Sequence, residues 1–428
     1  MLFCACNQSA TRKDSGLDAP TDPTTEVSGP VGGVTTDPLP QSRVDQNGGA
    51  SLLTSQAAAD VPSHGATITF QSLGAPGWYP SSRDPASGQC DAVKNGTCCM
   101  TKHTLPDSGI SPWDEELILT LRGPMLVKHI AVYQPGTAGA DQWDRVTDWD
   151  MAAPAQGHGI AFQGDGVTDF NFSGSVGNKC LVDVSSDRKF ACGPGSSPYC
   201  AANSPSQRYG WEGSKLILFL ASMPHFGSTA LANVKHCSTD KADNWFDAPW
   251  VGLSHGELIR SGKFGGCNCY AKDPAHWELA DGCGQFNVFE VVNDNNTYRN
   301  LDMFSTNFFG YGGYVGEGPC GKGCDITKLD PAVDLIDKAT SREASAAVAS
   351  PKKGPGAAFR RPSEGYRWFA ILMDVKTRTV QLAMVHPDNA AQAMAFTNAP
   401  PAQLQRTGIN ALLAMRLPGQ LSTGIYRP

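Results

Sequence analysis

Residues 283–290, Cys-Gly-Gln-Phe-Asn-Val-Phe-Glu, carry the densest chemical signal in this chain. The run reads as a β-strand in which Gln285, Asn287 and Glu290 project from a buried aromatic and aliphatic background. Retaining hydrolysis of a glycosidic bond needs two carboxyl groups about 5–5.5 Å apart, one to attack the anomeric carbon and one to protonate the leaving oxygen. Glu, Asp and Glu at these three positions would supply them. Two of the three are amides instead. A carboxamide keeps the shape of the acid and pairs well with sugar hydroxyls. It cannot form a glycosyl ester or stabilise an oxocarbenium ion by charge. Losing a nucleophile typically costs on the order of 10⁴–10⁶ in turnover. The strand therefore reads as one that holds a sugar but lacks the group that attacks it.

Parity sets a condition on this reading. Residues i and i+2 of a strand share a face, so Gln285 and Asn287 point the same way. Glu290 has the opposite parity and joins them only if a β-bulge inserts one residue. Without it, the polar residues line the solvent side of a two-faced strand. Glu278, Asp281, Glu257 and Asp247 lie nearby in sequence, and one of them about 6.5–9.5 Å from Glu290 would allow inversion through water; otherwise they are surface-loop acids. Asp114, Glu115 and Glu116 are consecutive, cannot all face one cleft, and are read as structural. Sugar rings present flat apolar faces, so a saccharide cleft calls for exposed aromatics. Trp250 is the first candidate, followed by Trp245, Trp277, Tyr209, Trp211 and the glycine-flanked run Phe308-Phe-Gly-Tyr311-Gly-Gly-Tyr314. His225 and His255 read as loop or capping residues.

The surrounding segments read as strands separated by Gly and Pro turns. They include Ala66–Phe70, Glu116–Arg122, Met125–Tyr133, Lys215–Leu220, Ala248–Leu253, Phe286–Val292, Tyr366–Asp374 and Thr379–Val385. Many short strands with few helices argue for an all-β sandwich or jelly roll. Two helices are expected: Asp330–Val348, an Ala-rich insertion with Pro331 near its start, and Ala402–Leu417 at the C-terminal end, weakened by Gly408. Residues 1–64 are aromatic-poor after Phe3 and rich in Pro, Thr, Ser and Gly, which predicts a disordered stalk. A sandwich domain over 65–387 and a C-terminal extension over 388–428 packed on it complete the expected organisation.

With 428 residues, 46 Gly, 30 Pro, 18% charged and 9% aromatic residues, the chain suits a turn-rich extracellular β protein. A formal net charge of -7 without long charge runs gives no footprint for nucleic acid. No apolar run reaches membrane-spanning length. Twelve of the 14 cysteines fall between Cys90 and Cys324, an even number that fits disulfides in an oxidising compartment. Their spacings, as in Cys98-Cys99 and Cys267-Asn-Cys269, do not form a zinc site. No metal and no cofactor are expected. Cys6, after small residues, resembles a lipid-modified cysteine; the alternative is a plain unstructured end. Asn95, Asn171 and Asn295 fit the glycan-acceptor pattern. Oligomeric state and disulfide connectivity are not legible.

Several motifs together carry a family resemblance. They are Ser111-Pro-Trp-Asp-Glu-Glu-Leu117 through Leu121-Arg-Gly-Pro-Met125 to Ala131-Val-Tyr-Gln-Pro135, Gly213-Ser-Lys, Ser222-Met-Pro-His225, Ala248-Pro-Trp250, Cys267-Asn-Cys269, Cys283-Gly to Glu290-Val-Val292, and Phe359-Arg-Arg-Pro362. Over about residues 66–386 the chain resembles the fungal target-of-SBF-like cell-wall proteins, circularly permuted relatives of glycoside hydrolase family 16. The resemblance implies a concanavalin-like β-jelly roll, a secreted or cell-wall location and action on β-1,3-glucan. It puts Gln285 at the nucleophile position, Asn287 at the supporting position and Glu290 at the acid/base position, with Trp250 the tryptophan beside that strand. Three functions follow as expectations: a glucan-acting protein with impaired hydrolysis, an active endo-β-1,3-glucanase using Glu290 and a non-standard carboxylate, or a structural surface protein with no sugar ligand.

Overall fold

The computed structural model describes residues 98–261 apart from short gaps, strands 285–291 and 304–309, residues 361–414 apart from 388–389 and 391–398, and short strands at 65–71, 77–83, 93–94 and 425–426. All of them fall within one compact unit, Pro40–Pro428. The N-terminal stalk, Cys6, the 330–348 helix, Trp277, Tyr311, Tyr314, Glu278 and Asp281 lie outside the described residues, as do Asn95, Asn295 and the cysteines from Cys267 onward.

Among the described residues the strands form three sheets. The largest runs, in spatial order, Gln403–Gln405 (β17), Gln142–Asp150 (β7), Met125–Pro135 (β6), Lys215–Ser222 (β11), Arg367–Asp374 (β15), Thr379–Val385 (β16), Gly65–Gln71 (β1) and Ile425–Tyr426 (β18), with Ser175–Val176 (β9) paired to β6. A six-stranded sheet runs Phe304–Phe309 (β14), Gln285–Val291 (β13), Trp250–His255 (β12), Leu117–Arg122 (β5), Leu181–Ser186 (β10) and Ile160–Gln163 (β8). The third joins Gly77–Arg83 (β2), Cys98–Leu105 (β4) and Val93–Lys94 (β3).

The two larger sheets enclose one apolar core, and the fold is an all-β jelly-roll sandwich. Leu119, Leu121, Val251, Leu253, Phe286 and Phe289 come from the six-stranded side; Val127, Ile130, Ile217, Phe219, Phe369, Ile371 and Leu382 come from the other. Phe369 stacks on Phe219 at 4.7 Å and meets Phe289 edge-on at 5.0 Å, so one ring joins the sheets. Alternation along β11 sends Leu216 and Leu218 to the opposite side, into a second apolar cluster on the outer face of the large sheet.

The C-terminal segment covers that cluster. Helix α2 (Arg406–Leu413) buries Ile409, Leu412 and Leu413 against the face that holds Tyr133, Trp143, Leu216 and Trp368. The helix starts later than the sequence predicts. Residues 403–405 first pair with β7, Leu404 opposite Trp143, because burying Leu404 on the sheet competes with one more helical turn at that end. At the opposite margin Ile425–Tyr426 pairs with Thr69–Phe70, so one segment covers both edges of the sheet. No helix among the described residues is long and apolar enough to cross a membrane.

Two polar clusters fasten the rest. Glu116 and Arg260, on the helix Gly256–Arg260 (α1), form a buried bidentate pair at 2.6 and 2.7 Å; Glu116 also accepts the Gly210 amide at 2.7 Å. Burial opposes the charge on Glu116, but Arg260 and Gly210 outweigh it and hold its pKa below the usual value. A Cβ on Gly256 would sit 2.3 Å from the Glu116 carboxylate, so the helix approaches closely only because that position is glycine. The second cluster carries the three-stranded sheet. His103 on β4 contacts Glu115 at 2.5 Å, His255 contacts it at 3.2 Å, and Ser81 on β2 donates to Glu257 at 2.6 Å. Burial raises the Glu115 pKa, yet the two imidazoles overcome it and bring it to about 2.

Two outcomes follow. Glu116→Gln should leave Arg260 buried without its counter-ion and cost about 3–5 kcal/mol in urea unfolding, with Glu116→Leu/Arg260→Leu recovering part of the loss. Glu115 has a folded pKa depressed from 4.5 to about 2, so its contribution is complete above 4.5 and is lost as pH falls toward 2. Stability measured across that window should therefore fall less steeply in Glu115→Gln than in the parent.

Candidate functional site

Strand β13 carries the expected irregularity. Gly252 pairs with Asn287, Val251 with Phe289 and Trp250 with Glu290, so two steps on β12 match three on β13. On the other side Asn287 pairs with Asn307 and Glu290 with Ser305, again two steps against three. The extra residue is Val288. Val288 and Phe289 are both fully buried in the core, although they are consecutive. Burying two such side chains is worth about 1.5–3 kcal/mol each, which exceeds the loss of a ladder bond. As a result Asn287 and Glu290 flank the bulge on the same outer face, and Asn287 Nδ2 donates to Glu290 Oε2 at 2.9 Å. Gln285 pairs with Ser254 and Phe309 two residues before Asn287; its side chain lies outside the described residues.

Arg122 closes the other side of Glu290. At the end of β5, opposite Trp250, it places Nη2 3.3 Å from Glu290 Oε1 and donates through Nε to Ala248 O at 3.0 Å. Its guanidinium lies 5.6 Å from the Trp250 ring centre and 5.4 Å from that of Trp245. Both Glu290 oxygens thus accept hydrogen bonds, one from a cation and one from an amide. Glu290 keeps 22% of its side chain exposed.

The two tryptophans differ. Trp250, the first aromatic candidate, is only 6% exposed, because its indole lies flat along the sheet over Gly252. A Cβ on Gly252 would meet Trp250 Cζ2 at 2.1 Å. Trp250 is a floor rather than an open platform. Trp245 is 50% exposed, with the Lys179 ammonium 5.6 Å from its ring. The Trp245 segment is tied down at several points. Asn178 donates to Ser238 O at 2.6 Å and accepts from the Asp247 amide at 2.9 Å, and Cys180 is disulfide-bonded to Cys237. Arg361 binds Asp247 Oδ1 at 2.7 Å and the carbonyls of Met223 and Pro224 at 2.7 and 2.9 Å. Residues 223–225, Asp247 and Arg361, from three distant stretches of the chain, meet in this one network just ahead of β12.

Among the other expected candidates, Asp247 is engaged by Arg361 and by His225 at 2.8 Å, and Glu257 is 1% exposed at the start of α1. Trp211 is buried and donates to Thr147, Tyr209 lies beneath Arg188, and His255 caps α1 through Nδ1. Sequence reasoning missed Arg122, Lys179 and Asp183. Asp183 occupies the same outer face, accepting from Thr120 at 2.5 Å, in the cross-strand row Gln163, Asp183, Thr120, Gly252, Asn287. Three strand spacings of about 4.8 Å place it roughly 14 Å from Asn287, too far to act with Glu290 on one bond. Its signal was visible as a polar residue of the right parity in Leu181–Ser186, a strand that was not anticipated. Among the described residues no group of three or more His, Cys, Asp or Glu side chains is arranged to hold a metal.

Residues 66–135 match the family described as "Cell wall protein YJL171C/Tos1, N-terminal". The chain is also 22% identical over 273 residues, 56% of its length, to a protein of Candida albicans (strain SC5314 / ATCC MYA-2876) described as "Probable circularly permuted 1,3-beta-glucanase PGA52". It spans 65% of that relative's length. No solved structure matches it. The two similarities agree with the resemblance read from the motifs, and the family is one of cell wall proteins, in line with the expected surface location.

Gly252→Ala should displace the Trp250 indole, lowering stability by about 1–3 kcal/mol and shifting tryptophan fluorescence. Combining it with Trp250→Ala removes the collision, so the double mutant should lose less than the sum of the two single mutants.

Proposed function

We propose that this protein is a cell-wall or surface β-glucan-binding protein on a glucanase-type sandwich, with hydrolysis lost or severely impaired. The observation that carries this reading is the bulge at Val288, which sets Asn287 and Glu290 side by side on one outer sheet face. The polar row across that face, from Gln163 to Asn287, and the exposed Trp245 beside it have the chemistry of a saccharide groove. The relative described as a probable 1,3-beta-glucanase supports β-1,3-glucan as the ligand. Residues 1–64 would tether the domain from its N-terminal side, and Cys6 is the candidate anchor.

Hydrolysis is impaired for two reasons. Gln285 cannot form the covalent intermediate. Glu290 has both oxygens engaged, by Arg122 and by Asn287, and a leaving oxygen must compete with these donors. The active-enzyme reading needs a second carboxylate within reach; Asp247 and Glu257 are engaged by Arg361, His225 and Ser81, and Glu278 and Asp281 lie outside the described residues.

Incubation with soluble β-1,3-glucan should release no reducing ends above background, while affinity electrophoresis in the same glucan should retard the protein. Trp245→Ala should weaken the retardation. Gln285→Glu/Asn287→Asp should gain measurable hydrolysis. Turnover by the unaltered protein would remove the impaired-enzyme reading. Absence of retardation in every β-glucan would favour a structural surface protein.

A further inference from the structure

The far side of the sandwich holds a second concavity. Helix α2 and Leu404 cover the outer face of the large sheet around Tyr133, Leu216, Leu218 and Leu372. Beyond Trp368 and Val385 the face changes character from aliphatic to polar and aromatic, around a cavity of about 730 Å³. His129, Leu220 and Trp368 line it from β6, β11 and β15, and the 150–152 turn and the 364–367 loop line it as well. That volume is within the range of small-ligand sites, about 300–1,000 Å³.

Its chemistry narrows the occupant. Four formally charged side chains line the cavity, Lys128 and Arg367 against Asp150 and Glu364, and their charges cancel. An anion would meet the two carboxylates, a cation the two basic groups, and an acyl chain would strand all four without water. What fits is a neutral molecule dense in hydroxyls. Planar carboxylate, guanidinium and imidazole groups can each pair with adjacent hydroxyls. Tyr366, half-buried, offers aromatic surface for the apolar ring face and has the Lys128 ammonium 4.0 Å from its ring centre. Trp368, 2% exposed, lies beneath as floor, 5.9 Å from the His129 ring. The polar groups are braced. His129 Nε2 contacts Asp148 at 3.0 Å, its Nδ1 faces Asp150 at 3.6 Å, and Arg367 Nη1 donates to Tyr366 O at 2.8 Å.

We propose that this cavity is a second saccharide site, for a neutral oligosaccharide segment, on the face opposite Glu290. The two sites lie on the outer surfaces of two stacked sheets, so one sugar chain does not bridge them directly. The protein would hold two wall-polymer strands at once, gaining avidity on an insoluble matrix without stronger binding at either site. The inference does not depend on the Glu290 groove, because no residue is shared between them.

Isothermal titration of the full chain with hexasaccharides of β-1,3-linked glucose, β-1,6-linked glucose and β-1,4-linked N-acetylglucosamine tests it. Trp245→Ala, which addresses only the Glu290 face, should leave binding of at least one probe in place. Ala152→Trp, at an exposed position on the rim, should weaken that residual binding by about tenfold or more. Tyr366→Ala should do the same, and unchanged melting of Ala152→Trp excludes unfolding as the cause. Loss of all binding in Trp245→Ala overturns the second site, as does residual binding indifferent to both rim substitutions. A dimer that Ala152→Trp dissociates in sedimentation, with no saccharide bound by Trp245→Ala, would assign the cavity to contact between copies. Failure of the Glu290 groove alone would appear differently, as binding insensitive to Trp245→Ala but sensitive to Ala152→Trp.

Discussion

Two adjacent apolar side chains claim the same core. Val288 and Phe289 both turn inward, which a regular strand forbids, and the ladder to β12 and β14 yields one residue to allow it. The outer-face geometry is a consequence of that inner-face packing. Phe289 meets Phe369 across the sandwich at 5.0 Å, so the bulge is locked from below by the opposite sheet. The spacing of Asn287 and Glu290 is therefore set by hydrophobic burial, and the polar pair inherits a rigid base without having to supply it.

The motifs that are far apart in sequence are joined by charge. Glu116 reaches Arg260, Arg361 reaches Asp247, and Lys215, fully buried, donates to the carbonyls of Trp113 and Glu115 at 2.9 and 3.1 Å. Burial presses the Lys215 pKa down to about 7, against the pull of Asp114, Glu212, Glu115 and Glu116. Even neutral, the amine has two N–H groups for two carbonyls. These buried polar contacts do little for net stability compared with an apolar replacement, but each is costly to break. They fix where loops enter strands, and so where Trp245 and Trp250 stand.

Much of this was legible in the sequence because an apolar run bounded by turn residues marks a strand buried on both faces. Met125–Tyr133, Lys215–Leu220 and Thr379–Val385 all show it, and the i, i+2, i+5 spacing of Gln285, Asn287 and Glu290 required a bulge before any coordinates. Gln142–Asp150 was not legible: its alternation is of tryptophans with aspartates and an arginine, and it lies between β6 and the short edge strand β17. Leu181–Ser186 was hidden because its outer face carries Asp183 and Ser185, both buried and resembling loop residues. Of the two leading aromatic candidates, Trp245 is exposed as expected but Trp250, placed first, is buried. Nothing in Ala-Pro-Trp announces that a glycine two positions on lets the indole lie down. Arg122 was likewise invisible as a site residue, since its partner is 168 positions away.

The contact between Arg122 and Glu290 bears most directly on chemistry. In a working retaining site the acid/base faces another carboxylate, and like charge keeps a proton on one of them. Here the neighbouring positions are amides, and a guanidinium lies 3.3 Å away. On the proposed reading, Asn287 and the guanidinium together make Glu290 an acceptor on both sides. A fixed acceptor beside donors suits the hydroxyls of a sugar that is to be held, because no step requires the charge to move. An acid at 287 would place negative charge beside Glu290 while Arg122 still neutralised it. The hydrolysis expected of Gln285→Glu/Asn287→Asp therefore requires the guanidinium to shift toward Trp245, whose half-exposed ring leaves room on that side.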